Sequence, residues 1–440
     1  MSLPTRLSWG RYPATPQAAH AAAWRDDVPG LLQSVGNRYT ATLPFGNGRS
    51  YGDSCYAASN HVIAMDSLNR FIDADWTSGR IKAEAGVLLA DVLNVAVPRG
   101  WFVPVTPGTK YVTLGGAVAN DVHGKNHHVR GTFGRHVLSF GLSRSDRASE
   151  LVCSPTENAA LFAASVGGLG LTGIITWVEF QLMPIVSPAI DVTSYKFGSL
   201  AEFFTLSAEL DPVHEYGVAW VDCLATGEAA GRGIYMVGDH ARIGELEIKP
   251  SRKRSVPFVL PVSAINNVTL RAFNSAYYAK QKAGKQQSRT DFEPFFYPLD
   301  GILHWNRIYG RRGFQQFQCV IPDHNAEPAT RALLAAIARS GTGSFLAVLK
   351  RCGNITSPGL MSFPMSGTSL ALDFPNNARL DRLLRDLDVI VNEAGGRLYP
   401  AKDAHMRGED FRRAYPQWHE VEALRDPLLC SQFWKRVTQS

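Results

Sequence analysis

Residues 42–54, TLPFGNGRSYGDS, hold two chemistries in one stretch. Gly48-Arg49-Ser50-Tyr51-Gly52 reads as G-x-S-x-G, the pattern of a serine nucleophile on a sharp turn between a strand and a helix. Glycines at 46, 48 and 52 also let successive backbone N–H groups turn inward toward an anion. The nucleophile needs a helix after Ser50 and a sheet largely built before it. The next residues are GDSCYAASN, a run of turn formers, and little chain precedes Ser50. Hydrolysis by Ser50 therefore stays a minor alternative. The glycine spacing is G-x-G-x-x-x-G, so the dinucleotide fingerprint is absent, and the stretch has no G-K-[ST] of a P-loop.

A second cluster, residues 103–136, reads VPVTPGTKYVTLGGAVANDVHGKNHHVRGTFGRH. Pro104, Pro107 and Gly108 make a rigid turn, and Gly115-Gly116 with Ala117 and Ala119 lets a large flat group approach the backbone. A third stretch, SVGGLGLTGIIT at 165–176, again mixes glycine with small and β-branched residues. Three separated glycine-rich stretches suit a long ligand held largely by main chain, and FAD is such a ligand. His123, His127 and His128 suggest a metal by their H-x3-H-H spacing. The interposed glycine and the lack of a nearby acidic ligand beyond Asp121 argue against one, so no metal is expected.

Lys and Arg number 45 against 39 Asp and Glu, a net charge of +6. That favours an anionic ligand or an anionic membrane surface. No long Lys/Arg stripe points to nucleic acid. The six cysteines (55, 153, 223, 319, 352, 430) fit neither a zinc site nor a disulfide framework. No secretory signal and no long apolar run are seen, so a cytoplasmic or peripherally membrane-associated protein is expected.

These residues need elements to hold them. Strand patterns fall at 39–43, 61–65, 80–85 and 173–182, with helices at 27–35, after an Asp26 cap, and at 88–97. Beyond a boundary at 184–188 the strand patterns lengthen, at 190–197, 215–221, 233–237, 314–321, 344–350 and 369–374. Helices are predicted at 328–339 and 379–394. The polar, lysine-rich 279–294 reads as a mobile loop. The class is α+β, without regular βαβ alternation.

Three strings, P-x-G-x-G-R-S-Y-G-D, T-P-G-T-x-x-V-T-L-G-G-A-x-A-x-D-V-H-G-K-N-H-H and S-V-G-G-L-G-L-T-G-I-I-T, resemble the PCMH-type FAD-binding domain of the vanillyl-alcohol-oxidase superfamily. The likeness is greatest to its polyprenyl-phosphoryl-ribose oxidase branch. It continues through YPLDGILHWNRIYG, GFQQFQCVIP, VLKRCG, LALDFP and GGRLYPAKD, and so covers nearly the whole chain. The resemblance implies a two-domain fold. Residues 1–188 would bind FAD, 189–395 would form a substrate domain on an antiparallel sheet covered by helices, and 396–440 would return to the FAD domain.

The cofactor residues implied are Gly46, Asn47, Gly48, Arg49, Ser50, Tyr51, Gly52 and Asp53 around the pyrophosphate. Thr109, Leu114, Gly115, Gly116, Ala119, Asn120, His123, Gly124, Lys125, Gly168, Gly170, Gly173, Ile174 and Tyr399 would hold the rest. Relatives that tether FAD covalently use a histidine just after the first glycine loop. Asp53 stands at that place, so non-covalent FAD is expected. Lys402 matches the family's active-site lysine, with Tyr399 and His123 as further catalytic candidates. Gln316, Gln318 and Lys350 fall at substrate positions beside Lys402, with Asn306, Tyr297 and Trp305 as weaker substrate candidates.

The implied activity is oxidation of the 2′-hydroxyl of a polyprenyl-phosphoryl-ribose to the 2′-keto sugar. A separate NAD(P)-dependent short-chain reductase would complete the epimerisation toward the arabinose donor of cell-wall polysaccharide. The alternative on the same fold is a soluble sugar, alditol or sugar lactone. The segment 249–261, KPSRKRSVPFVLP, sets four cations before an apolar run, which suits peripheral contact with anionic lipid.

Overall fold

The computed structural model describes residues 3–249 and 253–439, so Arg252 of the basic segment lies outside the described residues. The fold is α+β. Its largest element is an eight-stranded, wholly antiparallel sheet. In spatial order its strands are Lys285–Thr290, Ile190–Phe197, Gly233–His240, Tyr216–Val221, Ala347–Cys352, Gly367–Pro375, Phe314–Pro322 and Arg397–Leu398.

Alternation decides the two faces of this sheet. Phe317, Cys319 and Ile321 point one way, with Leu370, Leu372 and Phe374 from the neighbouring strand and Leu349 from the next. They bury against helices Leu200–Leu210, Ala326–Ser340 and Leu380–Glu393, whose Phe203, Leu333, Ile337, Leu384 and Leu387 fill the same core. Each such side chain withdrawn from water contributes about 1.5–3 kcal/mol, enough to fix the register. The opposite face carries the polar residues and needs another cover.

That cover comes from the N-terminal part. It holds a five-stranded antiparallel sheet, ordered Phe71–Asp75, Arg80–Glu84, Ile174–Gln181, Val137–Ser143, Leu151–Cys153. A small mixed sheet includes Gln17–Ala21, His61–Ala64 and Pro44–Phe45. The C-terminal part closes on the same region. Thr42 N donates to Leu428 O at 2.9 Å, and Gln432 N donates to Tyr56 O at 2.7 Å. One hydrophobic cluster draws on all three stretches, with Val62, Phe317 and Trp434 among its members.

Several expectations need correction. Residues 39–43 form no strand: Thr42 makes a single bridge to Leu429, and pairing starts at Pro44–Phe45. The 279–294 stretch is not a loop. Lys285–Thr290 is an edge strand paired with Ile190–Phe197, and Phe292–Phe296 is helical. An edge strand takes its stability from ladder hydrogen bonds and leaves its side chains to water, so its composition reads as polar loop. Asp26 makes no side-chain cap; Asp27 Oδ2 instead accepts from Trp24 N at 2.9 Å. The glycine-rich 114–119 is a short helix capped by Thr113, whose hydroxyl accepts from Gly116 N.

Candidate functional site

The polar face of the large sheet is the floor of a 720 Å³ cavity. Gln316 and Gln318 share that face because they are two residues apart on Phe314–Pro322. Their cross-strand partners are Asp373 and Ala371, and Lys350 lies opposite Ser369. Gln316, Gln318, Ala371, Lys350 and Ser369 line the cavity, while Asp373 is fully buried just behind Gln316. Gln316 Nε2 donates to Asp373 Oδ1 at 2.6 Å, and Asp373 Oδ2 has no partner among the described residues.

Glycine loops form the roof. Gly46, Asn47, Gly48, Arg49, Ser50 and Tyr51 line it, as do Thr109, Gly115, Gly116, Ala119, Asn120, His123, Gly124, Lys125, Gly170 and Gly173. Gly48 has φ +59°, and a Cβ there would come 2.9 Å from Leu7 O, so only glycine turns the chain here. Tyr51 N donates to Ala401 O at 3.1 Å, which docks this loop on the segment carrying Lys402. The Lys402 amine then sits 3.8 Å from the centroid of the Tyr51 ring.

Four cations face this space. Burial lowers the Lys402 amine below the ordinary lysine range; Asp373 pulls it back up and Arg49 pushes it further down. Burial raises the Asp373 carboxyl, against the Gln316 hydrogen bond and the charge of Lys402. Lys350 Nζ donates to Gly124 O at 3.0 Å, and burial brings it down to about 8. Lys125 donates to Phe295 O and Phe296 O, and burial followed by Lys350 brings it to about 7. Arg49 stacks 4.0 Å over Trp9, and burial lowers it too. Burial disfavours each of these charges, and an anionic ligand beside them would favour them.

His123 packs against the stacked rings of Phe363 and Tyr399 and is held neutral by burial, with Lys350 adding to the effect. The Gln318 amide lies 3.1 Å from its Nε2, which leaves the proton on Nδ1. Nδ1 has no partner among the described residues, nor do Arg49 Nε and Ser54 Oγ, which belong to other residues on the wall. Orphaned donors, cations and close-approach glycines along one elongated space fit FAD.

Other expected residues stand elsewhere. The Tyr399 ring lines the cavity, and its hydroxyl donates to Asn120 O at 2.9 Å, which leaves its oxygen as an acceptor. Leu114 and Ile174 are in the core, and Gly168 packs on the Ala164 carbonyl. Asn306 donates to Trp9 O at 3.0 Å behind Trp305, which does line the wall. Tyr297 hydrogen-bonds Thr106 at 2.7 Å.

Gly52 and Asp53 face away, toward the chain's C-terminal part. Asp53 forms two hydrogen bonds with Arg436, at 2.8 and 3.0 Å, and Arg436 also pairs with Asp403 at 2.9 Å. Asp53 thus anchors the loop from behind. Ser50 is followed by strand His61–Ala64 and not by a helix, so the elbow geometry is missing. Among the described residues no three His, Cys, Asp or Glu side chains form a metal-holding group, and His128 Nε2 lies 2.9 Å from His214 O.

Sequence reasoning passed over Asp373, although a lone carboxylate inside the apolar LALDFP was the signal for it. It also passed over the aromatic walls Trp220, Phe273, Tyr277 and Phe345, which belong to elements far apart in the chain.

Comparison with known proteins accords with this geometry. Residues 16–146 match the FAD binding domain family. Decaprenylphosphoryl-beta-D-ribose oxidase of Mycolicibacterium smegmatis is 32% identical over 438 residues, 96% of this chain and 94% of that protein. An uncharacterized protein from the mprA 5′ region of Streptomyces coelicolor is 33% identical over 78% of this chain and 96% of its own length. L-gulonolactone oxidase of Mus musculus is 26% identical over 40% of each chain. FAD is the cofactor and the protein is an FAD-dependent oxidoreductase. No helix among the described residues is long and apolar enough to cross a membrane. The chain belongs to the decaprenylphosphoryl-β-D-ribose oxidase family of FAD-binding oxidoreductases.

Proposed function

We propose that the protein oxidises the 2′-hydroxyl of a polyprenyl-phosphoryl-ribose to the 2′-keto sugar, using non-covalently held FAD. The observation that carries this reading is the Lys402 amine, lowered by burial and fixed over Tyr51 at the edge of a cavity with further cations. Bound FAD supplies the acceptor for the hydride that leaves C2′. The chain's own residues do the rest. Neutral Lys402 takes the hydroxyl proton, its affinity set by Asp373 on one side and Arg49 on the other. Lys350, with Gln316 and Gln318 on the floor, orients the sugar phosphate. Trp220, Phe273, Tyr277 and Phe345 form an apolar arm that excludes water and receives the start of the lipid tail.

In this reading residues 1–188 and 396–440 serve the cofactor and 189–395 the substrate, and a separate NAD(P)-dependent short-chain reductase uses the keto product. Likeness to a sugar-lactone oxidase over two-fifths of the chain leaves a soluble substrate as the second reading. Anaerobic mixing separates them. Farnesyl-phosphoryl-ribose is expected to bleach the flavin, with free sugars and lactones inert. Bleaching by a lactone or alditol alone refutes the lipid-linked substrate.

A further inference from the structure

The cavity opens through an apolar rim. Phe273 and Ile302 line it and are also exposed to solvent. Around them Phe258, Val262 and Val268 are 63%, 74% and 78% exposed, more than isolated surface residues of this size require. Backbone hydrogen bonds hold the segments that carry them side by side. Arg254–Ser255 pairs with Ile302–Leu303, Leu260 N donates to Arg307 O at 3.2 Å, and Ala264 N donates to Ile308 O at 2.9 Å. Helix Asn267–Lys280 continues the rim, with Phe273 packed edge-on to Phe345.

The charge of this region is as one-sided as its apolarity. Residues 249–290 contain nine Lys or Arg and no Asp or Glu, while the whole chain is only +6, so the remainder is net acidic. Arg254, Arg271 and Lys280 are exposed and form no ion pair among the described residues. Exposed apolar tips with unpaired cations beside them are the composition that inserts into an anionic lipid surface.

We infer that this rim docks the protein on an anionic lipid bilayer, with the cavity mouth facing the membrane. An acidic protein would satisfy the cations but would seal the mouth. A bilayer satisfies both the cations and the apolar tips and leaves the apolar arm continuous with the lipid interior. The proposed lipid-linked substrate supplies the purpose of the docking; the docking itself is measured without substrate.

The test is flotation of the flavin-loaded protein with phosphatidylcholine vesicles, with and without phosphatidylglycerol. Binding is expected only with phosphatidylglycerol. It should fall as the screening length shrinks from about 10 Å at 0.1 M salt to about 3 Å at 1 M. Val262→Asp with Val268→Asp, and separately Arg254→Glu with Lys280→Glu, should each weaken binding about tenfold. Flavin absorbance and melting temperature should stay unchanged. Absence of flotation with anionic vesicles at low salt overturns the docking, as does wild-type flotation by both double variants. A dimer dissolved by Val262→Asp with Val268→Asp, without vesicle binding, assigns the face to a second copy of the chain and also overturns it. If the protein floats but does not oxidise farnesyl-phosphoryl-ribose, the docking stands and the substrate reading falls.

Discussion

Gly52 lies so close to the carbonyl of Asp403 that a methyl group in place of its hydrogen would overlap that oxygen. The glycine loop and the lysine segment are therefore pressed together backbone to backbone, one residue from Tyr51 on one side and from Lys402 on the other. Gly52→Ala must push them apart. Overpacking against backbone costs about 1–3 kcal/mol or more. A lowered melting temperature and loss of bound flavin are expected. A variant that melts and stays yellow like the parent would show that the approach does not matter.

Lys402→Ala should keep the flavin and lose turnover, with kcat reduced about 10²–10⁴-fold, the usual contribution of a positioned base. The pH profile carries the sign. Lys402 accepts a proton only when neutral, and its folded pKa is lowered. Turnover is thus retained above that pKa and lost as pH falls through it. Stopped-flow flavin reduction across pH checks both statements.

Asp373 raises the pKa of Lys402, while its own carboxyl is raised by burial. Asp373→Asn removes that pull, so the acid limb of kcat should move to lower pH. An unmoved limb would separate the two groups and leave Asp373 a purely structural partner of Gln316.

Arg436 binds Asp53 and Asp403, two buried carboxylates. Arg436→Leu strips them of this shared cation, a change that typically costs about 3–5 kcal/mol. Thermal unfolding should show a large drop and earlier flavin release. With both carboxylates rid of a partner, the drop should shrink at low pH, where they protonate.

Asp53 is engaged by Arg436 and turned from the cavity, and a carboxylate is not the usual tether. Acid precipitation is expected to leave all yellow colour in the supernatant. Colour in the pellet would require a covalent bond at another residue.

The polar floor was legible because strand alternation puts Gln316 and Gln318 on one face whatever the tertiary context. The glycine loops were legible because their composition has few other uses. The edge strand at 285–290 was not, since ladder pairing leaves no apolar trace in its sequence. Asp53 was placed at the cofactor because its neighbours are there. Which way a side chain turns beside a tight glycine depends on what lies behind it, and Arg436 is 383 positions away. Asp373 was hidden for the same reason: its meaning comes from Gln316 across the sheet and from Lys402.

That separation bears on the order in which the molecule assembles. The flavin cradle comes first in the chain, and its counter-surface, Ala401 to Asp403 and Arg436, is made only long after it. Contacts this distant in sequence form late and slowly. A nascent chain halted before residue 400 has the loop without the wall that shapes it, so cofactor capture reports that residues 401–403 and 436 have been made and docked.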